Sequence, residues 1–75
     1  MSEFQLKSEY IELIKLLKTL GISQTGGHAK LIVEDGEVKV NGKTESRKRA
    51  KLRVGDIVEV MDEKINIIAT KKGTL

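Results

Sequence analysis

The chain predicts an α+β fold in which two packed helices cover a small, mostly antiparallel sheet of four to five short strands. Three observations carry this. Apolar residues between Tyr10 and Leu20 recur every three or four positions, the period of a helix face. From Val38 onward the period drops to two, the mark of strands with one buried face. Between two such stretches stands Asn41-Gly42, the strongest short-range hairpin signal in the chain.

Taken in order, Phe4 and Leu6 alternate with polar neighbours and predict a short strand or extended arm. Ser8, followed by Glu9 and Glu12, predicts an N-cap with acids in the first turn. Ile11, Leu13, Ile14, Leu16, Leu17 and Leu20 then form the inner stripe of a helix of about three turns, with Glu12, Lys15 and Lys18 on its solvated side. Gly21 supplies a left-handed stop. Thr25 is placed to cap a second helix, whose inner stripe is Ala29, Ile32 and Val33, and Gly36 ends it. Val38 and Val40 predict a strand before the Asn41-Gly42 turn. Leu52 and Val54 return an apolar face, and Gly55-Asp56 makes another turn. Ile57–Met61 and Ile65–Ala69 predict two strands joined through Asp62-Glu63-Lys64. One domain over residues 1–75 is expected, with its core at about 9–69 and a frayed tail at 70–75.

Composition excludes several classes. There is no cysteine, hence no disulfide framework and no thiolate zinc site. No apolar run approaches the roughly 20 residues of a membrane helix, and the start MSEFQLKSEY lacks the basic-then-apolar order of a signal peptide. A cytoplasmic monomer is expected. The net charge is +3, yet Lys43–Arg53 alone holds six Lys/Arg against Glu45, a net of +5, so the remainder sums to −2. Charge this concentrated suits a polyanionic partner.

Catalytic chemistry finds little support. His28 is the only histidine, and no nucleophile is spaced to work with it. No ligand spacing around it suggests a metal. His28 is either a surface residue in the first turn of the second helix or a polar contact to a nucleic acid. GISQTGG matches the opening of a phosphate loop, but Gly27 stands where the lysine belongs and the preceding element reads as a helix. No enzyme activity, cofactor or small-molecule substrate is expected. A weaker use of Gly26 and Gly27 remains: bare backbone N–H groups at a helix start attract phosphate, with Lys30 one turn on. The same glycines would also permit close packing.

The basic stretch is the more informative signal. If Arg47 to Arg53 is extended, Arg47, Arg49, Lys51 and Arg53 fall on one side, and Ala50, Leu52 and Val54 on the other, with Lys48 the exception. Cations about 7 Å apart along a strand approximate the spacing of backbone phosphates, and arginine suits bidentate phosphate contacts. With Phe4 and Tyr10 the only aromatics, a stacking platform is not expected.

The run A-K-L-I-V-E-D-G-E-V-K-V-N-G, a basic stretch and then K-L-R-V-G-D-I-V-E-V resembles the RNA-binding domain named after ribosomal protein S-four, over about Glu9 to Val60. T-G-G-H-A-K is similar to the small stand-alone bacterial members. The resemblance implies two helices on a small sheet, with the second helix and following hairpin facing RNA. It implicates Thr25, Gly27, Lys30, Asn41, Arg47, Lys51 and Arg53. Lys30 stands where arginine is usual, and Thr25-Gly26 where many members have Ser-Arg, so one cation is missing at the helix start. Asn41 doubles as a turn residue.

With the charge pattern, the expected RNA-binding set is Thr25, Gly27, His28, Lys30, Asn41, Lys43, Arg47, Lys48, Arg49, Lys51 and Arg53. The expected partner is structured RNA, ribosomal RNA foremost. The alternatives are a module that binds a protein of the ribosome or another ribonucleoprotein, double-stranded DNA binding, and a ubiquitin-like carrier. The last would need a C-terminal Gly-Gly, whereas the chain ends Lys72-Gly73-Thr74-Leu75.

Overall fold

Each period-two stretch has one apolar face, and pairing the strands side by side satisfies their backbone groups and joins those faces into one that the helices can cover. In the computed structural model, which describes residues 2–70, the elements are β1 (Ser2–Leu6), β2 (Ile11–Glu12), α1 (Leu13–Thr19), α2 (Gly26–Glu34), β3 (Val38–Val40), β4 (Lys43–Thr44), β5 (Lys51–Leu52), β6 (Ile57–Val60) and β7 (Glu63–Ala69). Five strands form one sheet in the order β1-β7-β6-β3-β4, and β2 pairs with β5 in a separate two-stranded ladder. Only β1 against β7 is parallel. The expected α+β architecture is present.

Register explains the sidedness. Val38 faces Val60, Val40 faces Val58, Val58 faces Ile65, and Phe4 faces Ile67. Across the other face run Lys39, Glu59 and Lys64, with Lys64 Nζ 3.6 Å from Glu59 Oε2. The apolar face is covered by the two inner helix stripes, Leu13, Leu16 and Leu17 from α1 and Ala29, Ile32 and Val33 from α2, in one continuous core. Leu6 joins that core, so β1 is a packed strand and not a loose arm. Gly21 and Gly36 take φ of +79° and +76°, the left-handed conformation that ends each helix.

Two expectations need correction. The first helix begins at Leu13, and Ser8 does not cap it: the Ser8 hydroxyl donates to the Tyr10 carbonyl instead. Ile11 and Glu12 are drawn into an extended ladder opposite Leu52 and Lys51. The orphan donors of the helix start are met by distant backbone, Leu13 N–H to Ala50 O at 2.9 Å and Ile14 N–H to Lys48 O at 3.3 Å. A seven-residue helix has little stability of its own, so packing and this borrowed capping hold it.

The second correction concerns the last hairpin. Val60 pairs with Glu63, which leaves a two-residue turn at Met61 and Asp62, both with positive φ (52° and 65°). Positive φ at both central residues matches the right-handed twist of the strands, and Met61 stands exposed at the tip. Thr70 is fixed by donating its hydroxyl to the Leu6 carbonyl, and the rest of the expected frayed tail lies outside the described residues.

Candidate nucleic-acid interface

At the start of α2, Thr25 is extended and its Oγ1 accepts the His28 N–H at 3.1 Å, as a capping threonine should. The Ala29 N–H goes to the Thr25 carbonyl. The N–H groups of Gly26 and Gly27 therefore project from the helix end. Packing does not demand glycine here: a Cβ on Gly26 would meet nothing within 4 Å, and one on Gly27 only Thr25 Oγ1 at 3.9 Å. His28 and Lys30 are both exposed.

Asn41 adopts φ +54° in the β3–β4 turn, and both polar atoms of its side chain have protein partners. Its Nδ2 donates to Asp56 Oδ1 at 3.1 Å, and its Oδ1 accepts the Ile57 N–H at 2.9 Å. Lys43 is exposed on the edge strand β4, outside the depression described next.

The basic segment is not one extended strand. Lys48 and Arg49 form a turn, Ala50 N–H bonding Arg47 O at 3.2 Å, and only Lys51–Leu52 is ladder-paired. Ala50 and Leu52 are buried as expected, but Val54 is exposed in the following turn, so the apolar side ends at Leu52. The cations nevertheless converge. Arg47, Arg49, Lys51 and Arg53 line one shallow depression of about 430 Å³ around Ala50. Arg49 also lines an adjoining groove of about 310 Å³ with Gly26, Lys15 and Lys18, which joins the basic turn to the start of α2. At the other end of α2, Lys48 Nζ lies 3.3 Å from Glu34 Oε2.

Each cation of the turn faces an acid. Besides Lys48 on Glu34, Arg49 Nη2 is 3.5 Å from Glu12 Oε2. Arg47 forks onto Glu45, with Nε to Oε2 at 2.9 Å and its backbone N–H to the same oxygen at 3.0 Å. The side-chain hydrogen bond from Arg47, outweighing partial burial, holds the Glu45 carboxyl below its ordinary value, and Glu45 raises the Arg47 guanidinium in turn. A depressed carboxyl pKa adds stability above the ordinary glutamate value and loses it as pH falls through the lower folded one. Unfolding midpoints in urea should therefore fall on acidification below about pH 4.3, and Glu45→Gln should remove that part of the dependence. An unchanged profile in the variant would show that the fork contributes nothing.

The model that describes the S4 domain matches residues 4–68 of the chain. The chain belongs to the S4 domain family. It is similar to YbcJ of Escherichia coli (strain K12), with 39% identity over 70 residues that span 92% of this chain and all of YbcJ. It is also similar to RlbA of Bacillus subtilis (strain 168), named as a probable ribosome maturation protein, with 40% identity over 55 residues, 73% of this chain and 78% of RlbA. The solution structure of YbcJ, described as revealing an αL motif involved in RNA-binding, superposes with a TM-score of 0.70 at 38% identity, covering 92% of this chain and 89% of YbcJ. The 30S ribosomal protein S4e of Thermoplasma acidophilum superposes with a TM-score of 0.64 at 29% identity, over 77% of this chain and 31% of that protein.

Three features of this S4 domain were not legible in its sequence. Lys15 and Lys18 read as a solvated helix face, and only the docking of the basic turn on the start of α1 brings them beside Arg49. The acids Glu12 and Glu34 lie far from the basic run in sequence, and only the fold brings them to Arg49 and Lys48. Tyr10, expected in a helix, precedes β2 in extended backbone instead and stands exposed with Lys51 Nζ 4.9 Å and Arg53 Cζ 5.8 Å from its ring centroid. A lone tyrosine just ahead of the apolar stripe was the available signal.

Proposed function

We propose that this S4 domain is a non-catalytic RNA-binding protein that holds structured RNA, ribosomal RNA foremost, through the basic turn and the start of α2. The observation that carries the reading is the convergence of Arg47, Arg49, Lys51 and Arg53 on one depression whose rim, through Arg49, continues to Gly26. A depression lined by four cations suits backbone phosphate, and the unblocked N–H groups at the α2 start suit another. Thr25 orders that helix end, while Gly27, His28 and Lys30 supply contacts along it. Lys43 and Lys48 widen the positive field, and Asn41 shapes the hairpin. The αL motif of YbcJ and the ribosomal associations in the names of RlbA and S4e support an RNA partner of this kind.

Because Arg47, Lys48 and Arg49 each already face a carboxylate of their own, about five neutralised phosphates is the reasonable number for the complex. That predicts a slope of log K against log[salt] of roughly −3.5 to −4.5. Titrating a ribosomal-RNA hairpin at stepped salt measures it, and competition with a matched DNA duplex tests the polymer. A flat salt response, or equal affinity for the DNA, would overturn the reading.

A further inference from the structure

The two cations at the end of the basic stretch are placed differently from the rest. The charged groups of Arg47, Lys48 and Arg49 face carboxylates, whereas those of Lys51 and Arg53 form no salt bridge among the described residues and rest against Tyr10. Lys51 lies opposite Glu12 in the ladder, and only the backbone N–H of Arg53 meets an acid, Asp56 Oδ2 at 2.8 Å. Tyr10 is 37% exposed and lines an open groove of about 870 Å³ between the end of β1 and α1, which Phe4 lines as well. Tyr10 lines the groove, and the two cations near its ring, Lys51 and Arg53, line the basic depression; the two hollows differ in charge. The depression is lined by four cations and no acid. In the groove, Lys7 and Lys15 are balanced by Glu9 and Glu12.

We propose that Tyr10, flanked by Lys51 and Arg53, is a subsite for one unpaired nucleotide, the base entering the groove to stack on the ring while the flanking phosphates stay in the depression. This rests on the RNA-binding reading and deepens it. A charge-balanced groove with aromatic lining offers nothing to a phosphate, but it suits the neutral face of a base. Cations over an exposed ring are held weakly, and charge-assisted contacts to phosphate are stronger. Arriving phosphates therefore draw Lys51 and Arg53 outward and uncover the ring. A base locked in a duplex cannot reach it, so the subsite selects RNA with a bulge or loop over perfectly paired RNA.

The chain carries a built-in reporter, since Tyr10 is its only tyrosine and it has no tryptophan. Two RNA hairpins, identical except for a single-nucleotide bulge, would be titrated while tyrosine fluorescence and the anisotropy of a label on the RNA are both followed. The bulged hairpin should quench Tyr10 strongly and bind more tightly; the paired one should bind with little quenching. Tyr10→Leu should weaken the bulged complex by roughly 5- to 150-fold and leave the paired complex unchanged, and Tyr10→Phe should restore the affinity. Equal quenching by both hairpins, or equal losses in Tyr10→Leu, would overturn the subsite while leaving RNA binding intact. No anisotropy change with either hairpin would overturn the functional reading and the subsite together.

Discussion

Reversing Arg47, Arg49 and Arg53 to glutamate should cut RNA affinity by at least about a thousandfold, taking each as a charge-assisted contact. The fold should survive the change. All three side chains are exposed and make no contact within the apolar core. The Ala50 and Leu52 side chains and the backbone bonds of Arg47, Lys48, Ala50 and Arg53 anchor this segment and are kept by the substitutions. These remove only surface contacts, the ion pairs of Arg47 with Glu45 and Arg49 with Glu12 and the contact of Arg53 with the Tyr10 ring. Circular dichroism and thermal melting would confirm folding, and filter binding with a ribosomal-RNA fragment would measure the loss. Retained affinity in a folded triple variant would move the interface away from the depression. Reversal is preferred to alanine because Arg47 and Arg49 already face Glu45 and Glu12. A second negative charge beside each acid turns a weakened site into a repulsive one.

Leu52→Ala should cost about 2–5 kcal/mol of stability, a large share of the roughly 5–15 kcal/mol typical of a domain. Leu52 is 1% exposed and pairs with Ile11 across the β2–β5 ladder. Truncating it opens a cavity at the point where the basic turn is fastened to α1. The turn then holds the Leu13 and Ile14 N–H groups less firmly, so helix start and cation geometry weaken together. Urea denaturation should show a lower midpoint with an unchanged slope, and RNA affinity should fall although no cation is altered. A midpoint shift without an affinity loss would separate the turn's position from its anchoring.

Capping and turn chemistry act over three or four residues, which is why those features were legible in order. Thr25 caps α2, Gly21 and Gly36 stop their helices, and Asn41-Gly42 turns the first hairpin, all as their types and spacing demand. The inner stripe of α2 and the β3 and β6 faces follow from period alone. Among the site residues, Ala50 and Leu52 were correctly read as the buried side and Arg47, Arg49, Lys51 and Arg53 as the exposed one. The helix start was misread because Ser8, Glu9 and Glu12 satisfy local capping rules, while Ile11 gains more by pairing with Leu52. The Met61 turn was misread because a methionine after alternating valines looks like more strand.

By itself, then, the sequence determined the fold class, the helix stops, the hairpin turn, the family and the concentration of charge. Only the tertiary structure decided where α1 begins, that Glu34 and Glu12 meet Lys48 and Arg49, that Lys15 and Lys18 share a groove with Arg49, and that Tyr10 carries Lys51 and Arg53. The physical reason is the same in each case. These outcomes depend on a two-residue ladder, on carbonyls borrowed by a distant helix, and on the docking of the basic turn against that helix. Such contacts join residues far apart along the chain, and no local period or spacing encodes them.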